Sequence, residues 1–201
     1  YDKSSPSTSL PVSNNTNASS SSVWSSAIES KEGASLTGKI NNVNDSYNEY
    51  KLNESIKLVY DFVWSDFCDW YIEFSKARFY GNNKIDKNIA ISVSVYVLRS
   101  ILKLLHPYAP FITEEIWSMI SKDNNQLLIH SNWPDVDQNK ISSKVENEIQ
   151  IIMDVISSIR IIKTNLNISP SIKISITLRG SDKTTKIINN YSDYLLQMVK
   201  V

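Results

Sequence analysis

The sequence predicts a mainly α fold: an antiparallel helical bundle followed by a small strand-plus-helix appendage. Three observations carry this expectation. Apolar residues recur every three or four positions in five separate stretches between Leu36 and Leu166. Those stretches are punctuated by Gly-Asn-Asn at 81–83, by His-Pro-Tyr-Ala-Pro at 106–110 and by a polar loop at 122–140. In Ser-Ile-Lys-Ile-Ser-Ile-Thr-Leu-Arg-Gly (171–180) the period then drops to two.

Residues 1–34 stand apart. Serine, asparagine and threonine dominate, and apolar residues are scattered without period. Such a stretch buries too little surface to offset its ordering entropy, so it is expected to be a low-complexity, disordered linker or an atypical segment. From Leu36 onward the helical period begins, with Val43, Tyr47 and Tyr50 on one face of a short helix.

The second helix is the longest amphipathic run. Asn53 is its expected N-cap and Glu54 suits its first turn. Ile56, Val59, Tyr60, Val63, Phe67, Trp70, Tyr71 and Phe74 form its apolar face. Gly81, able to take a left-handed conformation, is expected to end it. A third helix spans Asp86 to Leu105 with Ile89, Val93, Tyr96, Val97, Ile101, Leu104 and Leu105 as its stripe. Pro107 and Pro110 stop it, since neither donates an amide hydrogen bond. A short fourth helix restarts at Phe111. A fifth covers 143–166, with Val145, Ile149, Ile152, Ile156, Ile159 and Leu166 inward. Ile172, Ile174, Ile176 and Leu178 alternate with Lys173, Ser175, Thr177 and Arg179, as in a half-buried strand. That strand needs a partner, either outside this sequence or near Leu128–Ile129. A last helix carries Ile187, Ile188, Tyr191, Leu195 and Met198. The domain reading is therefore 1–34 low complexity, 35–166 bundle, and 167–201 strand-helix subdomain, truncated before a C-terminal arm.

Bulk properties narrow the function. Lys plus Arg and Asp plus Glu number 21 each, so no global electrostatic footprint of a nucleic-acid binder exists, although a local basic strip can act alone. One cysteine makes no internal disulfide, which points to a reducing compartment. With no continuous apolar run of membrane-spanning length and no signal-peptide pattern, a cytoplasmic protein without membrane contact is expected.

Catalytic signatures are few. The four glycines, Gly33, Gly38, Gly81 and Gly180, build no phosphate-cradling loop. One cysteine and two histidines are too few for a structural zinc site. His106 is expected to cap the helix before it rather than act as acid or base. Cys68 stands between Asp66 and Asp69, whose charges disfavour its thiolate, so it reads as a small apolar residue on the inward face. Asp66, Asp69 and Glu73 share a helix face that reads as solvated, with Glu73 paired to Lys76. Arg160, Lys163 and Asn167 lie at spacings of three and four beside the fifth helix's stripe. They suit phosphates and a base edge, and equally suit the end of a helix dipole with no ligand.

Three separated segments, taken together, resemble the anticodon-binding region of valyl-tRNA synthetases. They are FVWSDFCDWYIEFSK (62–76), LLHPYAPFITEEIW (104–117) and ISSIRIIKTNLNISPSIKISITLRG (156–180). The middle segment has looser counterparts in the class I enzymes for isoleucine and leucine, so isoleucyl-tRNA synthetase is the nearest rival. A non-enzymatic helical protein-interaction module is the competing class. The resemblance covers Leu36 to Val201. It implies a class I synthetase anticodon-binding bundle that receives the anticodon stem-loop of tRNA(Val) and positions it for aminoacylation. The parent would use ATP with magnesium in a catalytic domain, and would carry an editing domain. This stretch has neither the His-x-Gly-His nor the Lys-Met-Ser-Lys-Ser motif of the ATP site and so no catalytic residue or cofactor of its own. The family's upstream helix with its Asn-Lys-Leu-Trp-Asn-like motif has no match in residues 1–34.

The resemblance also turns residues into contact candidates. Lys76, Arg78, Arg160 and Lys163 are placed on phosphates. Glu73 accepts from an exocyclic base amine, with Asp69 and Ile72 beside it on the same side. Asn167 reads a base edge. Phe67, Trp70, Tyr71 and Phe74 are expected to be mostly core, with base stacking the minority role.

Overall fold

A computed structural model describes residues 36–121, 126–135 and 142–199. The low-complexity segment 1–34 lies outside the described residues. Two compact units emerge, one within 28–142 and the other within 143–201.

In the first unit, α1 is helical over 36–48 and buries Leu36, Ile40 and Val43. Tyr50 falls beyond it, at φ 58° and 90% exposed, rather than on its apolar face. The amide of Tyr50 donates to the Tyr47 carbonyl and that of Lys51 to the Ser46 carbonyl, a Schellman closure that demands a left-handed residue at position 50. α2 (Leu52–Asp61) then begins without a side-chain cap. Its N-cap is Lys51, not the expected Asn53, because the closure of α1 already delivers the chain into helical geometry two residues earlier.

The predicted long helix is continuous, but its centre (Phe62–Ile72) is π-helical before α3 (Glu73–Phe79) resumes the α form. The i→i+5 bonding widens the turn, so inward positions fall at Phe62, Phe67 and Tyr71, five and four apart. Phe62 is fully buried. Tyr60 of α2, expected on the apolar face, is 61% exposed, as is Trp64, and their rings stack 6.3 Å apart. Cys68 is exposed, not inward. Gly81 does close this helix, yet not with a positive φ. A Cβ there would come within 2.8 Å of the Ala77 carbonyl oxygen, so glycine is needed for close approach to the helix end.

α4 (Lys84–Leu105) starts at Asn83, whose side chain accepts from the amides of Ile85 and Asp86. By length and composition α4 is apolar enough to cross a membrane. Here it packs against α2, α3 and α5 and carries Asp86, Lys87, Arg99 and Lys103. His106 is its C-cap, as expected, with Nδ1 2.8 Å from the Thr113 hydroxyl. α5 (Pro110–Ile120) takes its proline in the first turn, where no amide is missed. Residues Leu128–His130 form a 3₁₀ turn rather than a strand partner. Both Glu114 carboxylate oxygens accept from it, from the amides of Leu128 (2.9 Å) and Ile129 (3.1 Å). Leu102, Trp117 and Leu128 make the local core that ties α4, α5 and this turn together.

In the second unit, α6 (Ser143–Asn165) buries Ile149, Ile152, Met153, Ile156 and Ile159. The same stripe continues to Lys163, while Leu166, expected inside, is 64% exposed. The predicted strand does not form. Residues 173–181 keep the alternation, with Ile174, Ile176 and Leu178 half-buried and their neighbours exposed, but no strand pairs with them among the described residues. An extended segment without a ladder partner leaves its amides unpaired and is not a strand. The final helix is two: α7 (Asp182–Asn190), capped by Ser181, and α8 (Ser192–Val199), separated at Tyr191. The Tyr191 hydroxyl donates to Glu148 at 2.9 Å and so ties this break to α6.

Candidate nucleic-acid interface

The residues singled out from sequence divide between the units. Asp69, Ile72, Glu73, Lys76 and Arg78 belong to the first; Arg160, Lys163 and Asn167 belong to the second.

At the junction of the π-helical segment with α3, Asp69, Glu73 and Lys76 follow one another at spacings of four and three. Asp69 is exposed, and Ile72 is half-buried beside it. Lys76 donates to Glu73 at 2.5 Å across one turn, the ion pair predicted from spacing, with both side chains 39–48% exposed. An exposed pair of this kind is worth only about 0.3–0.5 kcal/mol, so a ligand group separates it readily. Arg78 differs. It is 5% exposed, and Nη2 donates inward to the Asp86 carbonyl at 3.2 Å, clamping α3 to the start of α4. In this geometry Arg78 presents nothing to a phosphate.

The rings behind this edge are core. Phe67, Tyr71 and Phe74 are 8%, 0% and 3% exposed. Only Trp70 is half-buried, stacked on Phe74 with centroids 5.7 Å apart. Cys68, though exposed, has its thiol pushed up by partial burial and by the Asp69 charge, the direction read from sequence.

In the second unit the rim separates into unlike parts. Arg160 is exposed. Lys163 is 3% exposed and donates to the carbonyls of Ile172 (2.8 Å) and Val199 (2.6 Å). It holds the connection and the end of α8 rather than a ligand. Asn167 is exposed at φ 51°. Its amide donates to Thr164 and the next amide, Ile168, to Lys163, so Asn167 is the left-handed closing residue of α6. Its side chain remains outside that closure.

One basic face was passed over in the sequence. Tyr96, Arg99 and Lys103 stand at i, i+3 and i+7 on α4, beside Trp117. The helical spacing of the two cations is visible in the sequence; that an indole lies under both is not. Among the described residues, no group of three or more His, Cys, Asp or Glu side chains is arranged to hold a metal ion.

A helical unit presenting a polar helix edge, together with the sequence motifs, matches one class of protein. The family model of the anticodon-binding domain of tRNA ligases matches residues 34–178, and the chain belongs to this family. Among individual relatives, it is 36% identical to a valine–tRNA ligase of Listeria innocua over 140 residues, 70% of this chain and 16% of that protein. It is 33% identical to a valine–tRNA ligase of Staphylococcus aureus over 163 residues, 81% of this chain and 18% of that protein. A Listeria monocytogenes valine–tRNA ligase is 35% identical over 140 residues. The chain thus spans less than a fifth of the length of these curated relatives.

Proposed function

We propose that this chain is the anticodon-reading part of a valine–tRNA ligase, binding the anticodon stem-loop of tRNA(Val) and holding it for aminoacylation elsewhere in the parent enzyme. The observation that carries this reading is the family match over 34–178 joined to the likeness to valine–tRNA ligases of two genera. In this reading ATP and magnesium serve the catalytic domain, and an editing domain removes mischarged product. The two ATP-site motifs of the parent do not occur in these 201 residues.

Contacts are assigned on each unit by itself, to candidates that reach the surface. On the first unit, Asp69, Ile72, Glu73 and Lys76 form one edge. Bases of a single-stranded loop are splayed out and read on their exposed edges. Glu73 is the acceptor for an exocyclic amine, released from Lys76 as Lys76 turns to a phosphate. On the second unit, Arg160 takes a phosphate and Asn167 offers its amide to a base edge. Arg78 and Lys163 support these edges from inside: Arg78 holds α3 to α4, and Lys163 holds the end of α8 to α6.

The test is binding of the 201-residue chain to an anticodon stem-loop of tRNA(Val), to the same stem with a scrambled loop, and to the isoleucine counterpart. Preference for the valine loop of at least tenfold is expected, since each correctly read base is worth about 1–3 kcal/mol. Equal affinity for all three would overturn sequence readout by this chain. Lys76→Gln and Arg160→Gln are each expected to lower the salt slope of binding by about one.

A further inference from the structure

A cavity of ≈ 560 Å³ opens between α4, the end of α5 and the turn at 128–132. This size accommodates a nucleotide-sized group. It lies wholly in the first unit and includes none of the residues assigned above to base or phosphate contact. Arg99, Lys103 and His130 line it, with Trp117 as part of the wall and Tyr96 at 42% exposure.

Among the described residues that line it the charge is positive and none is a carboxylate, although Asp135 acts on Lys103 from nearby. The Arg99 guanidinium carbon lies 5.7 Å and the Lys103 ammonium 6.0 Å from the Trp117 ring centroid, so two cations converge on one indole. Trp117 is itself held in place: it is 6% exposed and its Nε1 donates to the Gln126 carbonyl at 3.0 Å. Arg99 donates through Nη2 to the Ile120 carbonyl at 3.0 Å, which fixes the guanidinium against the end of α5. Its Nε is buried and has no hydrogen-bond partner among the described residues. Burial, with Arg99 adding to it, pulls the Lys103 ammonium down from its ordinary value while Asp135 opposes the shift. Two like charges held together and partly desolvated are stabilised by an anion between them.

We propose that this cavity is a phosphate subsite, taking one phosphate group on Arg99, Lys103 and His130, with the Tyr96 ring beside the attached ribose or base. The guanidinium and ammonium supply charge-assisted hydrogen bonds, and the histidine ring a further donor. Two sources supply the same chemistry: a backbone phosphodiester of bound RNA, or a free phosphate ester. The first rests on the function proposed above, and the second does not.

The experiment therefore has two arms, both on the 201-residue chain. In the first, the salt dependence of stem-loop binding is measured for the wild type, Lys103→Gln, Lys103→Arg and His130→Gln, with the valine and scrambled loops. In the second, inorganic phosphate and AMP are titrated while the Trp117 indole N–H resonance is followed. A salt slope lowered by about one in Lys103→Gln, restored in Lys103→Arg and identical for both loops, assigns the site to RNA backbone. An unchanged slope with phosphate or AMP binding weakened about tenfold in Lys103→Gln assigns it to a free phosphate ester. If no probe binds, or if folded Lys103→Gln and His130→Gln match the wild type in both arms, the subsite is overturned. Loop preference reports separately on anticodon reading, so the two proposals fail independently.

Discussion

Lys163 of α6 donates from Nζ to the carbonyl of Val199, the last residue of α8, at 2.6 Å, while buried to 3% exposure. A second bond to the Ile172 carbonyl makes this ammonium the tie between three parts of the second unit. A cation placed by sequence on a ligand-facing rim is thus a structural clamp.

Lys163→Met keeps the aliphatic stem and removes the donor. Two carbonyls then lose their partner, one of them in a buried bond, at about 1–3 kcal/mol. The expected result is a lower midpoint in urea or heat for this variant, with RNA affinity, measured under folding conditions, changed less than in Arg160→Gln. A variant as stable as the wild type would show that the clamp carries no net stability.

Two left-handed residues test closure against readout. Tyr50, at φ 58°, holds a bulky residue where glycine costs nothing, so Tyr50→Gly is expected to stabilise by about 1 kcal/mol. Asn167, at φ 51°, already tolerates this conformation. Asn167→Gly therefore preserves stability to within about 0.5 kcal/mol and removes the amide, whereas Asn167→Ala loses about 1 kcal/mol. Loss of loop preference in Asn167→Gly, read by stem-loop binding, would mark a base contact; unchanged preference would leave Asn167 as a closing residue alone.

Gly81→Ala tests close approach without any demand on φ. The new methyl would stand 2.8 Å from the Ala77 carbonyl oxygen, a backbone atom that cannot move aside alone. A loss of about 1–3 kcal/mol in chemical denaturation is expected, the range seen for overpacking.

Alkaline pH should destabilise the chain through its tyrosines. Burial, then the hydrogen bond and charge of Glu148, raise the Tyr191 phenol above its ordinary value near 10. Burial chiefly, with Tyr108, does the same to Tyr47. A phenol raised in the folded state holds its proton more tightly there than when unfolded. Its contribution is complete below pH 10 and is lost as pH climbs toward the raised value. Unfolding free energy is therefore expected to be flat with respect to these groups from pH 7 to 9 and to fall above pH 10. Tyr191→Phe should lessen that fall while costing about 1 kcal/mol at neutral pH for its hydrogen bond to Glu148.

Much of this protein was legible in one dimension. The helices, the proline stop before α5, the His106 cap and the Glu73–Lys76 pair all follow from spacings of three or four residues and from side-chain chemistry within one turn. So does the family, because its motifs are local strings. Even Lys163 sat in plain view: 149, 152, 156, 159 and 163 continue one stripe at alternating spacings of three and four, and a cation on that stripe must find acceptors. What only the tertiary structure decided depends on partners distant in sequence. Within the π-helical segment Cys68 stands outward, and no α-period signals it. The alternation of 172–178 became no strand, since a ladder requires a second strand that no single segment supplies. Arg78 turned inward because the start of α4 brings the Asp86 carbonyl within its reach, and Arg99 met Lys103 over Trp117 because α5 folds back on α4. A helix period fixes which side chains share a face; only the neighbouring element determines whether that face meets water, a carbonyl or an indole.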